Sequence, residues 1–309
     1  MKENKLKTNH PDTFRLDYKI NKKYYSSETG LDVRSWNYDF YKSKGYQDKC
    51  EAQRNFLNWL VGFTDGDGCF NVYVNKDLKR VTFTYKISLR DYNIQALYYI
   101  KKELKCGRVS LADKNKMCHF RIRKAEHIEK IIIPLFNYIC LKTQKNIDFL
   151  IFKHCFKLYK NKEDNYIEKI IKYKLSPPLM ISKPRQKINK SWLVGFTEAE
   201  GSFYITKKSN NPPRLVHGFG ITQKHDGPLL KEICLVLGIF TKVRWNNKGF
   251  WIIDVTKNSD IKKIKDYYFK CFKGVTSLYY RIWGRSFRDK GKYIKLLTIQ
   301  RKLRKLRKP

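Results

Sequence analysis

The sequence predicts an α/β protein of the α+β kind, made of two pseudo-symmetric halves that each run α-β-β-α-β-β-α, and three observations carry that expectation. First, WLVGFTDGDGCF at 59–70 returns as WLVGFTEAEGSF at 192–203. Second, the offset persists: Asp67 to Glu200, Phe70 to Phe203, Ile122 to Val255, Ile128 to Ile261 and Ile131 to Ile264 are all 133 residues apart. An offset held over some sixty residues means tandem structural halves. Between Ile147 and Leu278, and between Phe152 and Trp283, it becomes 131, a two-residue length change in the preceding loop. Third, the hydrophobic period switches between helical and alternating in the same order in both halves.

Each element follows from its pattern. FLNWLVGFTDGDG is apolar nearly all round, as a buried helix must be, and Gly68 stops it. CFNVYVN then alternates, placing Phe70, Val72 and Val74 on one face and Cys69, Asn71, Tyr73 and Asn75 on the other. VTFTYKISL sets Val81, Phe83, Tyr85 and Ile87 against Thr82, Thr84, Lys86 and Ser88. GRVSL and HFRIRK continue the alternation with Arg108, Arg121 and Arg123 on the polar face, and NIQALYYIKKEL and EHIEKIIIPLFNYI read as helices. The second half repeats the order through SFYIT, HGFGITQ, LLKEICLVLG, TKVRW, GFWIIDV and DIKKIKDYYFKCF, so each half is an antiparallel sheet with helices on one face. The expected organisation is an extension over 1–50, a first repeat over 51–155, a linker over 156–190 containing Pro177, Pro178 and Pro184, a second repeat over 191–288, and a basic helical tail over 289–309.

Charge narrows the partner. Sixty-six Lys and Arg against 28 Asp and Glu give a formal charge of +38, which repels itself in a compact chain unless a polyanion is bound. Nucleic acid is the natural partner. No apolar run approaches the roughly 20 residues of a spanning helix, IIIPLF being among the longest, so no membrane partner is expected. The first residues carry neither the apolar core of a signal peptide nor the acid-poor composition of a transit peptide. Eight cysteines without a CxxC pair argue against zinc-ribbon and thioredoxin readings, and they are expected to be reduced.

Against this basic background the two acids ending each repeat need a reason. Gly62 and Gly66 are four residues apart and share a helix face, as do Gly195 and Ala199. Small residues at that spacing let two helices approach backbone to backbone. Asp67 and Glu200, one residue further on, would emerge side by side at two helix C-termini, where the helix dipoles disfavour negative charge. A divalent cation would compensate, and hard oxygen ligands with open positions suit Mg²⁺, the arrangement of a phosphodiester hydrolase. Asp65 and Glu198 point elsewhere on the helix and are expected to be ordinary solvated helix-end acids.

With LVGFTDGDG and LVGFTEAEG as its two motifs, the chain resembles the single-chain LAGLIDADG homing endonucleases over roughly residues 52 to 300. The resemblance implies a saddle of two four-stranded sheets that reads double-stranded DNA in the major groove and cleaves both strands with Mg²⁺, with Asp67 and Glu200 as metal ligands. It also implies catalytic roles for Gln223, in GITQK, and Lys145, in LKTQKNIDF. The matching positions of the other half carry Leu89 and Thr276, so one half lacks its usual cation: Lys273 or Arg281 reaches in, or one strand is cut slowly, or cleavage is lost. The DNA-facing set comprises Asn71, Tyr73 and Asn75, then Thr82, Thr84, Lys86 and Ser88, then Arg108, Arg121 and Arg123. In the second half it comprises Tyr204, Thr206 and Lys208, with Lys242 and Arg244. Guanidinium and amide groups suit base edges and amines suit phosphates. An RNA-binding intron maturase and a non-catalytic nucleic-acid binder are the alternatives, with host intron RNA as the competing partner. The chain is expected to be a monomer. Abundant lysine, asparagine, isoleucine and tyrosine suggest an AT-rich coding genome such as a mitochondrion.

Overall fold

Two glycine-bearing helices form the axis on which everything else is hung. The computed structural model describes residues 44–307 apart from 78, 113–115, 163 and 178–185, with the backbone alone over 44–49. The expected extension over 1–50 lies outside the described residues up to 43, and its last residues already belong to the first motif helix.

That helix, α1 (Lys44–Asp67), leads into β1 (Gly68–Asn75), β2 (Arg80–Arg90), α2 (Ile94–Leu104), β3 (Arg108–Ala112) and β4 (Met117–Ile122). A helical stretch follows: α3 (Ala125–His127), a π-wound turn over Ile128–Ile132, and α4 (Ile133–Tyr138). Two further helices, α5 (Lys145–Asn161) and α6 (Tyr166–Leu175), close the half. The second half repeats the order with α7 (Lys190–Glu200), β5 (Gly201–Asn210), β6 (Pro213–Gln223), α8 (Gly227–Leu237), β7 (Arg244–Asn246), β8 (Phe250–Val255), α9 (Asn258–Tyr267), α10 (Thr276–Arg285) and α11 (Tyr293–Arg307). The seven elements expected of each half are present, and each half adds two helices. Both sheets are antiparallel and four-stranded, in the orders β1-β2-β4-β3 and β5-β6-β8-β7. No helix among the described residues is long and apolar enough to cross a membrane.

One face of each sheet is dry. Phe70 of β1 packs edge-on against Phe136 of α4 and meets Phe149 and Phe152 of α5, all with ring centroids 5.1–5.6 Å away. Its counterpart Phe203 meets Tyr268, Phe272, Tyr280 and Trp283. Interlocked aromatic rings thus bury large areas on the helical side. The opposite faces keep the polar residues.

The stretch expected as linker does structural work, as does the tail. Ile170 of α6 is fully buried, the His154 and Tyr173 rings stack at 3.9 Å, and Lys174 donates to the Val72 carbonyl on the free edge of β1. In the other half α11 covers the free edge of β5, Gln300 donating to the Ile205 carbonyl at 2.7 Å and Arg307 to that of Phe203 at 2.6 Å. An open edge strand is a template for unwanted pairing, and both halves blunt it with their last helix.

Candidate active site

The site begins with the approach of α1 and α7. A β-carbon on Gly62 would overlap the Trp192 carbonyl oxygen, and one on Gly195 would overlap that of Trp59, 133 residues earlier. Both tests fail in the same way because the helices cross about a pseudo-two-fold axis. One turn on, a β-carbon on Gly66 would collide with that of Ala199 and lie 3.1 Å from Glu200 Cγ. All four small residues expected between the helices therefore sit at close approaches or directly against one.

Side chains brace the crossing. Trp59 Nε1 donates to Glu198 at 3.0 Å and Trp192 Nε1 donates to Asp65 at 2.8 Å, again a 133-residue exchange. Asp65 is 2% exposed; it also accepts from the Lys142 and Thr143 amides and from the Thr143 hydroxyl at 2.7 Å. Glu198 is 5% exposed and accepts from the Lys273 and Gly274 amides. The expectation that these acids are solvated is corrected: each carboxylate is buried and ties its own helix, the opposite helix and the loop entering α5 or α10. Burial pushes the Asp65 carboxyl up to about 6, with its hydrogen bonds pulling back, and raises that of Glu198 in the same sense.

Asp67 and Glu200 are the last residues of α1 and α7. Burial, reinforced by the Glu200 charge and opposed by Lys145, raises the Asp67 carboxyl to about 7. Burial also raises Glu200, opposed by a hydrogen bond from Gln223 and by Lys145. The four residues Asp67, Glu200, Lys145 and Gln223 thus share one electrostatic neighbourhood, two acids held against mutual repulsion with one nearby lysine. Among the described residues no group of three or more His, Cys, Asp or Glu could hold a metal ion. The protein can offer a cation these two carboxylates, leaving positions for water and a substrate oxygen. That donor set fits Mg²⁺, which keeps several waters and takes few protein ligands.

The register identifies the counterparts in the other half. Gly68 pairs with Ile87 and Gly201 with Ile221, so Leu89 matches Gln223. Lys145 opens α5 and Thr276 opens α10. Thr276 is buried and its hydroxyl donates to the Glu198 carbonyl at 3.3 Å. Asp67, Leu89 and Thr276 line one cleft of about 440 Å³. Lys273 and Arg281 are not among its lining residues; the Lys273 ammonium lies over the Tyr99 ring. Arg90, exposed at the end of β2, lines the cleft, and so does Arg307 of α11. Sequence reasoning missed Arg307 because only the docking of α11 reveals where it points.

The polar sheet faces differ. In the first, Lys86 lies directly across from Arg121 and Arg121 from Arg108, three cations abreast on adjacent strands. Like charges directly opposite destabilise a sheet unless an anion is supplied. Asn71, Tyr73 and Arg123 are exposed, Asn75, Thr82 and Ser88 half-buried, and Thr84 is buried opposite Asn71. In the second sheet the Tyr204 ring lies over Gly218 and its hydroxyl donates to Asp254, whose other oxygen is 3.8 Å from Arg244. Thr206 is half-buried opposite Val216, Lys208 sits in a bulge between Lys207 and Ser209, and Lys242 is exposed ahead of β7.

Comparison with known proteins gives a consistent result. A family model described as LAGLIDADG endonuclease matches residues 60–156 and 193–284. "Probable intron-encoded endonuclease Cox1-I1b" of Schizosaccharomyces pombe is 36% identical over 85% of this chain and 72% of its own length. "Uncharacterized mitochondrial protein RF1" of Saccharomyces cerevisiae is 32% identical over 55% of this chain and 35% of its own length. Among solved structures, the meganuclease I-SmaMI bound to uncleavable DNA superposes with a TM-score of 0.71 at 25% identity, over 80% of this chain and 97% of that one.

Proposed function

The chain belongs to the LAGLIDADG endonuclease family, and from that membership we propose that it is a sequence-specific homing endonuclease. It hydrolyses double-stranded DNA in a Mg²⁺-dependent reaction at an intron or gene insertion site. The observation that carries the reading is the pairing of Asp67 with Glu200 at two apposed helix ends, where both carboxyls are raised by burial and one by the other's charge. The printed names of the Schizosaccharomyces pombe relative, an intron-encoded endonuclease, and of the DNA-bound I-SmaMI structure support it.

Asp67 and Glu200 would hold the metal. Mg²⁺ there would supply Lewis-acid stabilisation of the charge that develops on the phosphoryl oxygens. In the hydrolysis a water oxygen bonds to phosphorus, one phosphorus–oxygen ester bond breaks, and the leaving oxygen takes up a proton. Gln223 fixes the Glu200 carboxylate through its amide, and Lys145 places positive charge beside both acids. Such preorganised charge counts for most where water is scarce. The three-cation row Lys86, Arg121 and Arg108 gives the phosphate backbone a place to lie.

A second reading, binding of host intron RNA, draws on α11, whose Arg301, Lys302, Arg304 and Lys305 are all exposed. The chain acts as a monomer, since it carries both motif helices itself. Synthesis inside a mitochondrion fits the abundance of lysine, asparagine, isoleucine and tyrosine and the printed name of the Saccharomyces cerevisiae relative. Incubating a supercoiled plasmid that carries the intron-less insertion site with protein and Mg²⁺ tests the function. Linear product with Mg²⁺ and none with chelator is expected; an intact plasmid under both conditions, with RNA bound tightly, would favour the second reading.

A further inference from the structure

We propose that Arg307 is a phosphate-binding cation of the cleft that contains Asp67, supplied by the C-terminal helix on the side where Thr276 stands at the position matching Lys145. The inference rests on the endonuclease reading for its substrate, a DNA phosphodiester, and on four observations of its own.

Arg307 lines the same cleft as Asp67, Leu89 and Thr276. None of the last three can contribute positive charge; the cleft's other arginine, Arg90, is exposed at the end of β2, and Lys145, whose charge reaches both acids, is not among the lining residues. The guanidinium is held in place: Nη1 donates to Ser202 Oγ at 3.2 Å, Nη2 to the Phe203 carbonyl at 2.6 Å, and its carbon lies 5.4 Å from the centre of the Tyr279 ring. Tyr279 in turn donates to the Leu306 carbonyl at 3.0 Å, which locks the helix end carrying Arg307. A guanidinium has five N–H donors in a fixed fork, so two bonds leave three for a ligand.

No carboxylate among the described residues pairs with it. Burial lowers its basicity, and the partners that oppose this are the phenols of Tyr279 and Tyr92. A partly desolvated cation with no carboxylate partner among the described residues, fixed beside Asp67, is disposed to accept an anion, and the planar fork matches phosphate oxygens bidentately. Ser202 and Phe203 lie two and three residues beyond Glu200, in β5, so the guanidinium is tied to the strand that leaves the second motif acid.

The test uses full-length protein and a duplex carrying the insertion site, each strand labelled separately, under single-turnover conditions with Mg²⁺. Arg307→Gln is expected to slow cleavage of one strand by at least tenfold, and Lys145→Met to slow the other. Arg307→Lys should recover part of the loss. Lys295→Gln removes one positive charge from an exposed position of the same helix and should leave the strand ratio at the parental value. Equal slowing of both strands by Arg307→Gln, no slowing, or slowing of the strand that Lys145→Met affects would overturn the assignment. The same selective loss in Lys295→Gln would also overturn it, by tracing the effect to the general charge of α11. If the parent cuts neither strand, the endonuclease reading fails on its own. Arg307 is then judged by the salt dependence of DNA binding: Arg307→Gln should reduce the slope of log K against log salt by about 0.9, one phosphate contact, and an unchanged slope would reject it.

Discussion

His217 shows how one buried side chain sets a property of the whole protein. It is 2% exposed, and its Nε2 lies 2.8 Å from Ser286 Oγ. The serine hydroxyl already donates to the Trp283 carbonyl at 2.8 Å, so the histidine must be the donor in this bond, with its proton on Nε2. Burial lowers the imidazole to about 4. Between that value and the unfolded value near 6.5 the unfolded chain binds the extra proton, so the histidine's contribution to stability is full above about 6.5 and is lost as pH drops towards 4. The raised acids Asp65 and Asp67 act in the opposite sense, so the test is a difference: relative to His217→Gln, the parent should lose roughly 2–3 kcal/mol across that window in denaturant titrations, and the same pH dependence in both would reject the assignment. Asp65 makes a different case. In Asp65→Asn one carboxylate oxygen becomes an NH₂ group facing the Lys142 amide or the Trp192 indole, both donors. The cost should be about 2–4 kcal/mol in unfolding free energy, and a change below about 0.5 kcal/mol would show that the brace is not needed.

At the scale of elements, the two motif helices decide how the halves meet. Gly62→Ala drives a β-carbon into the backbone of α7 and should destabilise by about 2–3 kcal/mol, visible as a lowered thermal midpoint. Gly66→Ala meets side chains, Ala199 and Glu200, so it should unfold less readily than Gly62→Ala yet lose more cleavage activity as Glu200 is displaced. The reverse ranking would mean that the close approach lies elsewhere. These elements were legible in the sequence because repetition in register exposes them: small residues four apart, acids one residue on, and strands that alternate. The brace was equally repeated, Trp59 with Trp192 and Asp65 with Glu198, but a tryptophan's indole proton leaves no pattern saying which acid it meets. The helices α5, α6, α10 and α11 were harder still. Their ranges mix long basic side chains with apolar ones, so period alone does not show that Ile170 or Leu296 is buried, and Arg307 gains its place only through that burial.

At the scale of the whole molecule, the charge of +38 and the cation row on the first sheet make binding to DNA a counterion-release process. Log K should fall by about 0.9 per phosphate contact for each decade of salt, so ten contacts would cost orders of magnitude in affinity. A shallow dependence in fluorescence-anisotropy titrations would point away from a polyanion. The asymmetry of the sheets adds a further expectation: Arg121→Ala should reduce affinity more than Arg244→Ala, because Arg244 already lies beside Asp254. Chemistry and binding separate at the two motif acids, which lie at the helix ends and not on the sheet faces. The decisive measurement is strand cleavage and DNA affinity side by side for the parent, Asp67→Asn and Glu200→Gln, with Mg²⁺ and the intron-less insertion site. Cleavage should fall by roughly 10³-fold or more in both variants, with affinity unchanged or tighter; parental cleavage by either variant, or loss of binding in step with cleavage, would contradict the metal site at Asp67 and Glu200.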